Sequence, residues 1–329
     1  MQSQLTFGIF PGSVSGTENG LAAGAGDNAR RIQEALDALQ SGNKQLLVRC
    51  YAPYTGPISE AMALYSGSPV SFEQYARNGR KLDLVLPFRH DDPDLRGWLH
   101  FVRGAVRCYG ALLAKLQITE EPNFAAAPAA ADGGFSNVRQ ALVQGVIAAK
   151  DEASHLGYDV QIGFNVVAGL KTQEEFWMSL REIGQQIFLD ALDYIGLDSY
   201  PDVFFPVELT DLPAMLVKML NITRTIHLAA AGIAPSVPLH IAENGWATGP
   251  ERSYERQAEV LETIIRTIYA QQDAFHVTHY ELFMLRDVES SNPAPFFQFG
   301  ILRDDYIPKP AFERYRRLIA ELGTCVNGS

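Results

Sequence analysis

The sequence predicts an α/β fold, a single-domain (β/α)8 TIM barrel that takes up residues 1–329. Short apolar runs alternate with longer segments of helical periodicity along the whole chain, and this alternation is typical of a parallel sheet with helices outside it. Eight apolar runs can be counted, which is the number of strands in a closed barrel. A doubly wound sheet shows the same alternation, but no Gly-x-Gly-x-x-Gly segment follows the first run, so we favour the barrel.

The elements are predicted from apolar runs that end in polar or turn-forming residues, and from helical spacing between them. A Gly-, Ser- and Asn-rich segment after the first strand, 12–26, is expected to be a long loop. The first helix then carries Ile32, Leu36 and Leu39 on its apolar face, and a second is predicted near 71–78. In this count eight helices alternate with the strands. The strands are predicted at 5–10, 45–52, 83–88, 115–119, 160–167, 194–200, 239–242 and 277–285.

Composition restricts the partners that the protein can have. The net charge is −11, and nucleic acids and anionic membranes both require clustered Lys and Arg, so we expect neither as a partner. No apolar run approaches the roughly 18 uncharged residues of a transmembrane helix, and the N-terminus lacks the features of a signal peptide. We therefore expect a cytoplasmic protein, with a signal sequence already removed as the alternative. The oligomeric state cannot be predicted.

Polar side chains occur at the predicted ends of most strands. In a barrel of this type the carboxyl ends of the strands carry the chemistry. Charged groups there are costly unless they are paired or face a cleft, so their number indicates a polar pocket. Two carboxylates in such a pocket suit glycoside hydrolysis, where one protonates the leaving oxygen and the other attacks the anomeric carbon or activates water. The polar residues are Arg49, Arg89, His90, Glu120, Glu121, Asn165, Asp198, Tyr200, Glu243, Asn244, Glu281, Arg286 and Asp287.

Several of these segments resemble clan A of the glycoside hydrolases, which are retaining (β/α)8-barrel enzymes. Residues 118–123, Ile-Thr-Glu-Glu-Pro-Asn, resemble the end of the clan's fourth strand, which implies that Glu121 is the acid/base. Residues 241–246, Ile-Ala-Glu-Asn-Gly-Trp, resemble the end of the seventh strand, which implies that Glu243 is the nucleophile. Arg49 and Tyr200 match clan residues that contact the nucleophile. The resemblance covers about 270 residues, from the second strand to the end.

The chain departs from the clan pattern at two positions. Glu120 stands where the clan has an Asn that binds the sugar 2-hydroxyl, and a second carboxylate there can raise the pKa of Glu121, change the substrate or abolish activity. Phe283 and Met284 stand where the clan usually has a Trp as a sugar platform. Phe283 is our candidate for that platform.

Three further residues are candidates for substrate binding, each with a structural alternative. Asn165, at the end of the fifth strand, is expected to face the pocket. His90 lines the substrate site or is a hydrogen-bonded structural residue. Trp246 stacks on a sugar face or packs against its own loop.

The resemblance implies a retaining hydrolase that cleaves a β-type O-glycosidic bond by double displacement, with the carboxyl groups of Glu121 and Glu243 about 5–5.5 Å apart. No cofactor and no metal are expected, and the partner is a carbohydrate substrate. Two alternatives remain open. One is a barrel that binds carbohydrate without catalysis. The other is a metal-dependent hydrolase, although the first strand lacks the His-x-His of typical sites.

Overall fold

The structure is a computed structural model that describes residues 4–17, 20–40, 42–56, 71–127, 129–169 and 173–326. Eight parallel strands close into a barrel in chain order, and the last strand pairs with the first through Phe7 opposite Tyr280. The predicted (β/α)8 TIM barrel is therefore confirmed. The strands are β1 (Thr6–Ile9), β2 (Val14–Thr17), β3 (Gly20–Ala23), β4 (Leu46–Tyr51), β5 (Lys81–Leu86), β6 (Leu113–Ile118), β7 (Gln161–Val167), β8 (Tyr194–Asp198), β9 (Leu239–Asn244) and β10 (Val277–Leu282).

The helices lie outside the barrel, and each of them buries apolar residues. In α1 the buried residues Ile32, Leu36 and Leu39 recur at helical spacing, as predicted. No helix in the described ranges has the length and apolar composition to cross a bilayer. The helices are α1 (Ala29–Gln40), α2 (Arg96–Tyr109), α3 (Val138–Leu156), α4 (Glu174–Ala191), α5 (Leu212–Ile222), α6 (Leu228–Ala231), α7 (Tyr254–Phe275) and α8 (Pro310–Leu322), with 3-10 turns at Phe72–Tyr75, Gly110–Leu112 and Pro295–Phe297 and a π turn at Thr223–His227.

The structure corrects the prediction for two connections. The segment 12–26, expected to be a loop, contains the antiparallel hairpin of β2 and β3. The hairpin approaches the loop after β6 so closely that a Cβ atom on Gly16 would overlap the side chain of Ala130. Between β4 and β5 the helix expected near 71–78 is a single 3-10 turn in the described residues. It ends at Tyr75, because the next residue, Ala76, has a non-helical ψ of 64°.

Charged side chains fill one layer of the barrel interior beneath the carboxyl ends of the strands. The Lys115 ammonium donates to Glu281 and lies 3.3 Å from Asp83 Oδ2, and all three side chains are fully buried. Glu281 fits because Gly8 lacks a Cβ atom, which would lie 2.7 Å from Glu281 Cγ. Burial and the Asp83 charge raise the pKa of Glu281 to about 8. For Asp83, burial raises the pKa, but Lys115 and Arg49 outweigh it and the net change is a decrease.

Candidate active site

Glu243 lies near the end of β9 and is only 7% exposed. Its Oε1 atom accepts from the Tyr51 hydroxyl and lies 3.3 Å from both Nε and Nη2 of Arg49. Its Oε2 atom accepts from the Tyr200 hydroxyl at 2.6 Å. Charge-assisted donors on both oxygens stabilise a carboxylate anion and fix its orientation. Hydrogen bonds to both oxygens therefore hold the Glu243 carboxyl group in one orientation.

Arg49 connects this carboxylate to two further strands. Its Nη1 atom is 2.6 Å from Asp83 Oδ2 on β5, and its Nη2 atom donates to Gln117 Oε1 on β6 at 3.0 Å. The same Nη2 atom lies 3.6 Å from Glu120 Oε2. Because the guanidinium group is planar and Arg49 is fully buried, these contacts fix the orientation of the guanidinium group.

The chain after β6 takes an unusual backbone path through Glu120 and Glu121. Thr119 and Glu121 have φ values of 65° and 44°, a region that side chains other than glycine rarely adopt. Asp132 Oδ2 accepts from the backbone N–H of Glu120 at 2.7 Å, and Asn165 Oδ1 accepts from that of Glu121 at 2.9 Å. Such conformations persist only where the surroundings enforce them, and they cluster at functional sites.

Glu120 points into the polar interior. Asn165 Nδ2 donates to its Oε1 atom and Gln117 Nε2 to its Oε2 atom, both at 2.9 Å. Asn165 Nδ2 also donates to Asp198 at the end of β8. The Glu121 carboxyl, in contrast, has no hydrogen-bond partner within the described ranges, and this leaves it available to a bound molecule.

Burial and mutual repulsion favour the protonated forms of the acids around Glu243. Burial first, and then the charge of Glu243, raise the pKa of Glu121 to about 8. The same two causes raise the pKa values of Glu120 and Asp198 well above their usual range. Glu120, Glu121 and Asp198 therefore hold their protons to a higher pH than the same groups do in water.

One group of carboxylates in the described part of the chain is close enough to hold a metal ion. Oxygen atoms of Glu120, Glu121 and Asp198 all lie within 4.8 Å of one another. Three carboxylate oxygens suit a hard divalent cation. The same three groups can instead share protons, and their raised pKa values describe that state.

Aromatic side chains form one wall of the site. Phe283, directly after β10, stacks on Phe10 with ring centroids 5.4 Å apart and contacts Tyr200 edge to face at 6.3 Å. Phe299 contacts Tyr200 at 5.5 Å. The peptide bond between Phe283 and Met284 is cis. Phe283 therefore lies next to the residue that donates to Glu243.

Two of the expected substrate residues lie elsewhere. Trp246 is 2% exposed, donates from Nε1 to Asp202 Oδ2 at 3.0 Å and packs under the Arg252 guanidinium at 3.7 Å. These contacts fit the second of the two alternatives for Trp246, packing within the protein rather than stacking on a sugar. His90 is exposed and contacts Tyr54 edge to face, and within the described ranges it makes no hydrogen bond or ion pair with Glu121 or Glu243. Arg49, Glu120, Asn165 and Tyr200 all join one hydrogen-bonded network with Glu243 or the backbone of Glu121.

Several residues of the network were not predicted as site residues, namely Tyr51, Gln117, Asp132 and Asp83. Tyr51 lies two positions after Arg49 on β4, so both side chains point to the same face, and this spacing could have identified it. Gln117 lies two positions after Lys115 on β6, so both side chains point into the barrel interior. Asp132 lies in an irregular loop, where no periodicity indicates direction.

Comparison with known proteins supports the fold. No protein-family model and no curated protein sequence matches the chain. Among solved structures it is similar to a GH2 β-galacturonidase from Eisenbergiella tayi (TM-score 0.59, 12% identity, 89% of this chain and 48% of that chain), a β-glucosidase from Exiguobacterium marinum (0.62, 11%, 98% and 99%) and a family 39 glycoside hydrolase from Bacteroides cellulosilyticus WH2 (0.61, 14%, 98% and 64%). The chain spans about half the length of the β-galacturonidase. The predicted resemblance to glycoside hydrolases is confirmed for the barrel fold, which these enzymes share with the chain.

Proposed function

We propose that the protein is a retaining glycoside hydrolase that cleaves β-type O-glycosidic bonds, with Glu121 as acid/base and Glu243 as nucleophile. One observation carries the proposal. Two neighbouring carboxyl groups have opposite environments, since donors surround Glu243 while burial and the Glu243 charge raise the pKa of Glu121 to about 8. A pair divided in this way supplies an ionised nucleophile and a protonated acid at neutral pH.

The reaction proceeds in two displacements at the anomeric carbon. In the first, a Glu243 oxygen forms a bond to that carbon while the bond to the leaving oxygen breaks, and Glu121 gives its proton to the leaving oxygen. The product is a glycosyl ester of Glu243. In the second, ionised Glu121 takes a proton from water, the water oxygen attacks the anomeric carbon, and the ester bond breaks to return the Glu243 carboxylate.

The neighbouring residues orient this pair. Arg49 and the hydroxyls of Tyr51 and Tyr200 hold the nucleophile, and Asn165 holds the backbone of the acid. Glu120 contributes a carboxyl group beside Glu121, where we expect it to meet a polar substituent of the reacting sugar. Phe283 offers an apolar ring next to Tyr200, in the position suited to the sugar's C–H face.

A panel of aryl β-glycosides tests the proposal, with Glu243→Ala and Glu121→Ala as variants and the exposed Glu208→Ala as the matched control. We expect hydrolysis by the wild type and the control only. Azide should restore turnover to both variants with opposite stereochemistry, because it attacks the anomeric carbon directly in Glu243→Ala and replaces water on the glycosyl ester in Glu121→Ala. An α-glycosyl azide from the first and a β-glycosyl azide from the second are the expected products. Full activity of Glu243→Ala would overturn the assignment.

The carboxylate group of Glu120, Glu121 and Asp198 favours a second candidate, a hydrolase that uses a divalent cation. Chelation distinguishes the two. Dialysis against EDTA should leave aryl-glycoside hydrolysis unchanged if Glu121 acts as a proton donor. Loss of activity that is restored by Mg²⁺, Mn²⁺ or Ca²⁺ would support the metal-dependent enzyme instead.

A further inference from the structure

Two phenylalanines stand exposed on the catalytic face. Phe204 and Phe205 follow β8 and are 52% and 82% exposed. They are the aromatic members of the exposed large apolar side chains in the part of the chain that the structure describes. Contiguous exposed apolar patches mark interaction sites, whereas apolar side chains that are exposed singly are normal.

The loop that carries these rings is firmly held. Asp202 has a φ of 58°, and its Oδ1 atom accepts from the backbone N–H of Val207 at 2.9 Å, which closes the loop around the two phenylalanines. Trp246 donates to its Oδ2 atom at 3.0 Å, and Arg252 donates to its carbonyl oxygen at 3.0 Å. Phe204 therefore keeps a fixed position although its ring is exposed, as expected of a preorganised contact surface.

Phe204 also continues the wall of the candidate active site. Its ring centroid is 6.3 Å from that of Tyr200 and 5.7 Å from that of Phe296, which follows β10. We call Tyr200, Phe204 and Phe296 the aromatic shelf. The shelf begins at Glu243, because the Tyr200 hydroxyl donates to Glu243 Oε2. The shelf therefore extends outward from the proposed nucleophile, beginning with the Tyr200 ring, and reaches the protein surface at Phe204.

We propose that the aromatic shelf binds a second sugar ring of the substrate, next to the sugar held at Glu243. This inference rests on the proposed function. The shelf offers apolar ring faces bordered by water, which suit the C–H face of a pyranose whose hydroxyl groups stay hydrated. Its area is too small for a stable protein partner, because each aromatic ring buries at most about 250 Å² and a specific interface needs roughly 800 Å² per partner.

The test compares the affinities of mono- and disaccharides by calorimetry, in a Glu243→Gln background so that no probe is hydrolysed. The probes are glucose, galactose, mannose and xylose with laminaribiose, cellobiose, β-1,4-galactobiose, β-1,4-mannobiose and β-1,4-xylobiose. We expect at least one disaccharide to bind more tightly than its monosaccharide. Phe204→Leu should lose about three- to tenfold of that disaccharide affinity, whereas Phe204→Tyr should retain it because it keeps the ring.

Phe205→Leu is the matched control, because Phe205 is more exposed and makes no ring contact with the shelf in the described residues. The control should bind the disaccharide like its parent. Equal losses in both leucine variants, or no disaccharide that binds more tightly than its monosaccharide, would overturn the inference. So would a loss of self-association in Phe204→Leu by sedimentation without loss of sugar affinity, which would indicate a second copy of the chain as the occupant.

The proposed function and this inference fail separately. If the wild type hydrolyses aryl β-glycosides but Phe204→Leu keeps full disaccharide affinity, the proposed function stands and the proposed role of the aromatic shelf is wrong. If the wild type hydrolyses no glycoside but its disaccharide affinity depends on Phe204, the proposed role of the aromatic shelf stands and the proposed function is wrong.

Discussion

The side-chain oxygen of Asn165 accepts a hydrogen bond from the backbone N–H of Glu121 at 2.9 Å. Asn165 lies on β7 and Glu121 follows β6, so a neighbouring strand fixes the backbone of the proposed acid/base. The contact also supports the positive φ of Glu121, which is costly for a side chain of this type. The position of the acid thus depends on one amide group that also donates to Glu120.

Asn165→Ala should therefore impair catalysis more than it impairs folding. It removes the acceptor for Glu121 and the donor for Glu120, and we expect kcat to fall about 10²-fold because a misplaced acid transfers its proton poorly. Steady-state kinetics with a poor leaving group, together with a thermal melt, measure both effects. A variant that melts like the wild type and also retains its kcat would contradict the positioning role.

The pH dependence of kcat/KM should report Glu121. An acid must be protonated to act, and the pKa of Glu121 is raised to about 8, so activity should persist through neutral pH and fall above about pH 8. Glu121→Gln should abolish this alkaline limb. For a phenyl leaving group it should lower kcat by roughly 10²–10⁴-fold, with a smaller loss for 2,4-dinitrophenyl, which needs no proton. An unchanged alkaline limb in the variant would assign it to another group.

Both tyrosines that donate hydrogen bonds to Glu243 should contribute to catalysis. Tyr51→Phe and Tyr200→Phe each remove one hydroxyl donor to the carboxylate, and a hydrogen bond to a charged group contributes about 1.5–3 kcal/mol. We expect kcat/KM to fall about 10- to 100-fold in each. Tyr54→Phe is the control, since its hydroxyl donates to Asp92 instead. Losses of the same size in the control would indicate a general effect on the fold.

Stability should decrease as the pH rises through neutrality. Glu281 has its pKa raised to about 8 in the folded protein against about 4.5 in the unfolded chain, so the native state holds a proton that the unfolded state releases. Its contribution is fully present below about pH 4.5 and is lost as the pH rises through about 8. Glu120, Glu121 and Asp198 act in the same direction.

Urea unfolding between pH 5 and pH 8 measures this slope. Glu281→Gln keeps the shape of the protonated carboxyl but cannot ionise, so the slope should be smaller by up to about 1.4 kcal/mol per pH unit. Thr278→Ser, on the same strand but outside the charged layer, serves as the control. A slope that is the same in all three proteins would show that Glu281 does not titrate in this range.

The fold could be predicted because its signals are periodic. Apolar runs at the spacing of strands and helices identified all eight barrel strands, and they located Glu121 after β6 and Glu243 near the end of β9. The hairpin of β2 and β3 was missed because its Gly- and Ser-rich strands lack apolar alternation. Its pairing depends instead on contacts with the loops after β6 and β10.

The site was predictable only where direction follows from the strand. Arg49, Asn165 and Tyr200 reach the pocket because strand ends point there, and Tyr51 follows from the same alternation. Trp246 and His90 follow strands too, but loop geometry turns Trp246 toward Asp202 and leaves His90 at the surface. Loop directions depend on tertiary contacts, which no local pattern contains.

The contact between Gly16 and Ala130 also constrains how this barrel can be altered. Ala130 precedes Asp132, which holds the Glu120 amide, and Arg89 binds the carbonyl oxygens of Ala130 and Ala131. A side chain introduced at position 16 would displace this segment and so disturb the proposed acid from the far side of the barrel mouth. Replacing the segment after β1 with one from another protein would therefore require a matching redesign of the loop after β6. The two segments should be exchanged together.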